Sequence, residues 1–308
     1  MTMVLFHRCS RTLEVLRAPK VEIAMFGDAA ARIVYELYVK RHPRFLFVGN
    51  KSVGVALLRL PQTFDDYLAD KPPVRRARNK ALKLGYTFRT FRAIDHVDEI
   101  VGINTSSPIR QGMPMHREYV VPDLVRKFCA GVGEIFGVFA ADGSLVAYNH
   151  DVVCGDVFTG TKMLGDNDHL RNGAMYLLIT ETIGNRIELR NRLGYPNWYA
   201  YDTVWGCTPG LLFFKKRLGF GPYRVKWVWD DSRTPAMNGC GRSLAERVKE
   251  LKKEIALEGE VSPKGRRLSE FGLIALLGIS YIICDPIPGL IDDAVAATIS
   301  GYHALKRL

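Results

Sequence analysis

The chain is 308 residues long, with 47% hydrophobic and 24% charged residues and a formal net charge of +11. That length holds one large domain or two modest ones, and the composition excludes a long disordered chain. The charge points to an anionic partner: a nucleotide cofactor, an RNA, or an anionic membrane surface.

The six cysteines (Cys9, Cys129, Cys154, Cys207, Cys240 and Cys284) form no C-x-x-C pair, and the seven histidines show no H-E-x-x-H spacing. No metal is therefore expected, and the thiols read as reduced, mostly buried and cytoplasmic. The apolar stretch before Arg8 is too short for a secretory signal. No apolar run reaches the roughly 18–20 residues of a transmembrane helix.

In chain order, Ala29–Lys40 has helical apolar spacing, and Arg44–Val48 and Val53–Leu58 read as strands around a Gly49-Asn50-Lys51 turn. Residues 71–92 carry eight Lys/Arg and no acid. Pro73 to Leu84 reads as a basic helix closed by Gly85, followed by a strand at Tyr86–Arg92. Arg76 and Lys80 on that helix are candidate substrate-binding cations for phosphates. Asp95–Thr105 is a second helix, and Ser106–Met115 is a loop whose Arg110 and Gln111 are candidate substrate contacts, placed to cover a cleft. Val120–Gly133 is a third helix. Glu134–Ala140 and Ser144–Asp151 flank the hairpin turn Asp142-Gly143, and Val157–Leu164 follows as a third strand.

From Leu170 to Trp229 the pattern is helix, strand, helix, strand, which with the preceding meander gives a mixed α/β sheet with helices on both faces. Arg171, Asn172, Gly173 and Ala174 open the long helix. Backbone N–H groups at a helix start favour anions, and small residues let a pyrophosphate approach, so these four are candidate cofactor-binding residues. The strand Asn197–Thr203 carries Tyr199, Tyr201 and Asp202, with Trp205 just beyond it. The Asp202 carboxylate is placed to accept a proton from an attacking amine or to orient it. Neither Cys154 nor Cys207 has a neighbouring histidine to make it a nucleophile. Pro209–Leu218 is a helix with proline in its first turn.

Beyond residue 238 come a charged helix (Arg242–Ala256), a polar linker (Glu258–Arg267) and two short apolar stretches, Phe271–Cys284 and Ala294–Leu305. Each is too short to span a bilayer alone. They read as an apolar helical hairpin, buried or lying peripherally on a membrane.

Three segments resemble the Fem family of aminoacyl and peptidyl transferases, within the acyl-CoA N-acyltransferase (GNAT) superfamily. FDDYLADKPPVRRARNKALKLGYTFRTF resembles the family's Y-L helix leading into R-R/K-x-x-x-K-A-x-K-x-G. GAMYLLITETIGNRIELRNRLGYPNWYAYDT resembles its helix and acid-ended strand. PGLLFFKKRLGF resembles its G-x-x-x-F-K-x-x-F/L-G signature. The resemblance implies an acetyltransferase-like fold, Asp202 at the base of the site and Lys215 facing the acyl or aminoacyl donor, both with catalytic roles. In the superfamily the start of the long helix carries R/Q-x-x-G-x-G/A. Here Arg171 matches the first position, and the glycine follows two residues later. Fem transferases carry two full acetyltransferase-like domains, and this chain has room for little more than one. In the tail, Tyr281, Asp285, Ile287, Pro288, Asp292 and Asp293 resemble a small helical-hairpin family of unknown function.

The sequence thus leads to an acetyltransferase-like domain at 1–238 and a charged helix with apolar hairpin at 239–308. The expected activity is transfer of an acyl or aminoacyl group from acyl-CoA or another thioester or ester donor to an amine. The alternative is a non-catalytic module with a degenerate transferase fold, docking on RNA or an anionic membrane.

Overall fold

The computed structural model describes residues 14–15, 17–41, 49–110, 113–131, 134–205 and 207–233. The expected strand at 44–48, Gln111, and the whole charged helix, linker and apolar hairpin lie outside the described residues.

An eight-stranded mixed sheet forms the frame. Its strands are β1 (Lys20–Met25), β2 (Val53–Arg59), β3 (Thr87–Thr90), β6 (Glu134–Phe139), β7 (Leu145–Cys154), β8 (Val157–Gly165), β9 (Trp198–Thr203) and β10 (Gly221–Trp229), in the order β1-β10-β2-β9-β8-β7-β6-β3. Two short strands, β4 (Ile109–Arg110) and β5 (Met113–Pro114), pair separately. The β1–β10 and β8–β9 pairs are parallel and the other neighbours antiparallel.

Alternation along the strands divides the core between two faces. Ala56 and Leu58 of β2 and Tyr199 of β9 pack with Ile179, Ile183 and Ile187 of the long helix α7 (Ala174–Leu193). The alternate residues Val55, Leu57 and Ala200 pack with Ala31 and Val34 of α1 (Ala29–Val39). On the α7 face lie also α2 (Phe64–Ala69), α3 (Pro72–Lys83) and α8 (Pro209–Leu218), through Tyr67, Val74 and Leu218. The opposite face carries α4 (Val97–Thr105) and α6 (Pro122–Cys129) against the β6–β7 hairpin.

Local chemistry sets most boundaries. Asp28 caps α1, Thr63 and Asp66 form a capping box on α2, and Thr208 caps α8 ahead of Pro209. α8 ends at Gly219, whose φ of +96° is left-handed backbone that glycine adopts without strain. The helix expected at 120–133 begins earlier and is broken. α5 (Arg117–Val120) stops at Val121, which is extended (φ −83°, ψ 116°) because Pro122 disfavours helical backbone in the residue before it. The helix expected at 95–105 opens as a 3₁₀ turn over Ala93–His96, and the strand expected at 86–92 is shortened to β3. Among the described residues no helix is long and apolar enough to cross a membrane.

α7 is tied to the sheet by charge as well as by packing. Arg186 Nε donates to Asp151 Oδ2 of β7 at 3.0 Å, with both side chains almost fully buried (3% and 0% exposed). The guanidinium lies over the rings of Phe136 and Phe158. Removing one partner strands the other charge out of water, which is far more costly than replacing both. Asp151→Ala is expected to lower stability by about 3–5 kcal/mol in urea unfolding, and the double change Asp151→Leu with Arg186→Met to recover most of it.

Candidate active site

β8 and β9 are neighbours for only three residue pairs, Val157↔Trp198, Phe158↔Tyr199 and Thr159↔Ala200. Beyond them β8 continues on β7 alone and β9 on β2 alone. The sheet forks there. Thr159 sits at the vertex: its hydroxyl donates to Ala200 O at 3.0 Å and accepts from the Tyr38 hydroxyl of α1 at 2.7 Å. On the β8 arm the register against β7 jumps from Asp151↔Gly160 to His150↔Lys162, so Thr161 is the extra residue of a bulge.

A cleft of about 890 Å³ occupies the fork. Its walls come from both faces of the sheet: Val34, Leu37 and Tyr38 of α1 on one, Met175 and Tyr176 of α7 with Phe214 and Lys215 of α8 on the other. The β8 arm, Thr159–Gly165, supplies the main chain between them.

On the β9 arm, the strand ends at Asp202 in left-handed backbone (φ +55°), a conformation sparsely used by residues with a side chain. The turn directs the carboxylate to the cleft, where the side chain remains 59% accessible and forms an ion pair with Lys51. Desolvation by the surrounding protein pushes the carboxyl pKa up. The charges of Lys51 and Lys215, with hydrogen bonds from Lys51 and the Thr203 main chain, outweigh it, and the net position is below the ordinary carboxylate value. Asp202 is therefore ionised at neutral pH. Its contribution to stability is present above the unfolded-state pKa and is lost as pH falls through the lower folded value.

Lys215 lies beneath. It is only 1% exposed, yet it lines the cleft. Nζ donates to Tyr201 O and Thr203 O, both at 2.8 Å, and sits 4.6 Å from the centre of the Tyr201 ring. The lysine thus holds the main chain on either side of Asp202. Tyr199 and Tyr201 stack on one another and belong to the same core cluster, and Trp205 donates to Val53 O at 3.0 Å.

The remaining candidates separate from this centre. Arg110 lines the cleft, but its Nη2 serves the protein itself, donating to Ile103 O (2.8 Å), Ser106 Oγ (2.9 Å) and Gly165 O (3.1 Å). Arg171, Asn172, Gly173 and Ala174 precede and open α7 as expected, but they face α3 and are not among the cleft walls. Lys80 Nζ donates to Arg171 O at 2.8 Å, Asn172 Nδ2 donates to the Tyr86 hydroxyl at 3.0 Å, and Ala174 is fully buried. Arg76 and Lys80 are exposed on α3, and with exposed Arg171 they form a basic surface beside the Asn167–Leu170 edge of the cleft. Neither Cys154 nor Cys207 is among the cleft walls, and burial pushes the Cys154 thiol well above its ordinary value.

Three elements of the site were not anticipated. Lys51 belongs to a turn read only as a connection, and its partner is 151 positions away. The fork and the bulge are properties of strand pairing, which leave no mark in residue type. Asn149 of β7 is fully buried beside the bulge, with its Oδ1 only 2.6 Å from the place a Cβ on Gly160 would occupy.

No protein-family profile and no curated protein matches the chain. Solved structures resemble it in part. L-PGS from Bacillus licheniformis is 14% identical, with a TM-score of 0.37 over 69% of this chain and 65% of that one. The C-terminal DUF2156 domain of a protein assigned as a lysylphosphatidylglycerol synthetase, from Agrobacterium fabrum, is 16% identical, with a TM-score of 0.37 over 55% of this chain and 57% of that one. A protein from Enterococcus faecalis assigned as an N-acyltransferase is 14% identical, with a TM-score of 0.28 over 41% of this chain and 30% of that one. This chain spans less than two thirds of the length of each. At these scores the likenesses settle neither family nor chemistry.

Gly173 separates two roles for the α7 start. It has φ +90°, and a Cβ there would lie 2.4 Å from Ala77 O of α3. Gly173→Ala is expected to cost about 1–2 kcal/mol from backbone conformation alone, with the clash against α3 added, and so to lower the melting temperature. A glycine needed only for a phosphate would instead lose donor affinity at an unchanged melting temperature.

Proposed function

We propose that this chain is an N-acyltransferase, moving an acyl or aminoacyl group from a thioester or ester donor to an amine. The observation that carries the reading is the cleft through the forked sheet. Lined by elements from both faces of the sheet, it offers two substrates a common place beside the β8 main chain and a carboxylate.

The chemistry follows from the residues present. The donor carbonyl lies against the β8 arm, where the bulge at Thr161 leaves main-chain N–H groups to polarise the carbonyl and hold the oxyanion. The amine approaches from the Asp202 side. The bound ammonium first gives one proton to solvent; its neutral nitrogen then bonds to the carbonyl carbon, the carbon–sulfur or carbon–oxygen bond breaks, and the nitrogen's second proton ends on the leaving group. With its pKa held down by two lysines, Asp202 is a weak base, better suited to binding and orienting the substrate ammonium than to carrying its proton away. Lys215 fixes the turn that presents Asp202, and Lys51 occupies the carboxylate until an amine replaces it. Holding both reactants in one cleft supplies much of the rate gain. The phosphate end of an acyl-CoA donor would lie on the basic surface of Arg76, Lys80 and Arg171.

Asp202→Asn keeps the shape and removes the charge. It is expected to lower kcat/KM for amine acylation by roughly 100-fold through lost positioning, with little change in melting temperature. Lys51→Met should move the acidic limb of the pH–rate profile upward, because the Asp202 carboxyl loses a cation that stabilises its charged form. Wild-type turnover in Asp202→Asn, measured by mass spectrometry of the acylated amine, would remove the assignment. Lys215→Met is a poorer probe, because its two main-chain hydrogen bonds are buried and stability falls along with activity.

The basic surface has its own test. Reversing Arg76 and Arg171 to Glu is expected to weaken acyl-CoA binding and flatten its dependence on salt, while leaving the affinity for a donor without phosphates unchanged. Isothermal calorimetry at low and high salt reads both effects.

A further inference from the structure

Exposed apolar side chains are not spread evenly over this protein. Among the described residues, nine large apolar side chains are exposed. Three of them, Leu37 (38%), Ile109 (61%) and Leu170 (38%), line the cleft. Val34 of α1, with Pro114 and Met115 at the β5 end, lines the same part of the cleft. Apolar surface gathered at one cleft mouth is a mark of a ligand site.

The hairpin is held in place. Three hydrogen bonds from Arg110 Nη2 tie it to the end of α4 and to Gly165 at the end of β8, while the adjacent Ile109 is left open to the cleft. On the other side, Asn50 Nδ2 donates to Leu37 O at 3.3 Å, so the α1 rim lies one residue from Lys51 and its ion pair with Asp202. Apolar rim and charged floor are parts of one continuous cleft.

We propose that the α1 and β4–β5 side of the cleft is a subsite for the long alkyl chain of an amphiphilic substrate, whose reacting group lies at Asp202. This rests on the acyl-transfer reading and narrows its substrate class. The chain belongs either to a fatty acyl donor or to a lipid that carries the accepting amine. The reacting end of the substrate meets the charged floor, and the rim covers the chain.

The test is binding to the full chain without turnover, by calorimetry below the micelle concentration of each probe. One arm compares acetyl-, octanoyl- and dodecanoyl-CoA. The other compares lysophosphatidylethanolamine with glycerophosphoethanolamine, its head group alone. Each methylene fully removed from water favours binding roughly fourfold, so six half-covered methylenes predict roughly 50-fold tighter binding of octanoyl- than of acetyl-CoA if the chain enters with the donor. If it enters with the acceptor, the gain appears in the lipid arm. The double variant Leu37→Asn with Ile109→Asn changes two exposed residues. It is expected to keep the wild-type melting temperature and the short-chain affinities while losing the chain-dependent gain. No gain in either arm, or a gain undiminished in the variant, overturns the proposal. So does equal binding of the wild-type protein to empty phosphatidylcholine vesicles, which would make the rim a membrane contact. These outcomes are independent of turnover: chain-dependent binding without acylation counts against the transferase reading alone, and acetyl transfer without chain-dependent binding against the subsite alone.

Discussion

A parallel strand pair that joins for three residues and then parts is the constraint on which this protein is built. Parallel pairing places evenly spaced N–H and C=O groups along each strand, and parting removes their partners. Those groups must face solvent or a ligand. The fork accordingly opens into a cleft with main chain on one wall, and the charged side chains gather on the other. The glycine at Gly160, the bulge at Thr161 and the left-handed Asp202 all lie within two or three residues of the vertex, where the ladder can no longer dictate backbone conformation.

The electrostatics follow the same line. The net charge of +11 invites a reading in terms of surface patches, yet the cleft uses its cations largely against the protein itself. Lys215 secures two carbonyls, Arg110 secures three acceptors, and Lys51 neutralises Asp202. Among the described residues, α3 displays Arg75, Arg76, Lys80 and Lys83 to water, beside exposed Arg171. Charge count therefore says little about where a site lies.

Elements with their own start and stop signals were legible in the sequence. Thr208, Pro209 and Gly219 bound α8 within the expected residues, and Asp142-Gly143 turned the hairpin as read. Where a neighbour decides the outcome, the reading failed: Pro122 split a helix whose apolar spacing ran on. In the site, Asp202 and Lys215 do converge, and the reason was visible in the strand–helix order that carries them. The exposed lysine implied by a donor-facing role is instead buried, because the carbonyls it binds appear only once β9 turns at Asp202. Arg171 to Ala174 sit where the order of elements put them, but their main chain packs on α3 at Lys80 and Ala77, a contact between distant positions that no local pattern encodes.

Because the two four-stranded halves share so short a seam of backbone, their mutual angle is set elsewhere. α7 lies across both, its isoleucines on β2 and β9 and its Arg186 on β7. At 20 residues it is about 30 Å of nearly inextensible rod. It acts as a strut behind the seam: packing under the rod sets the angle at which the halves meet at Val157–Thr159. The width of the cleft is thereby encoded in residues that do not line it, and a volume change at Ile179 or Ile183 reaches the cleft walls as an angle rather than as a lost contact.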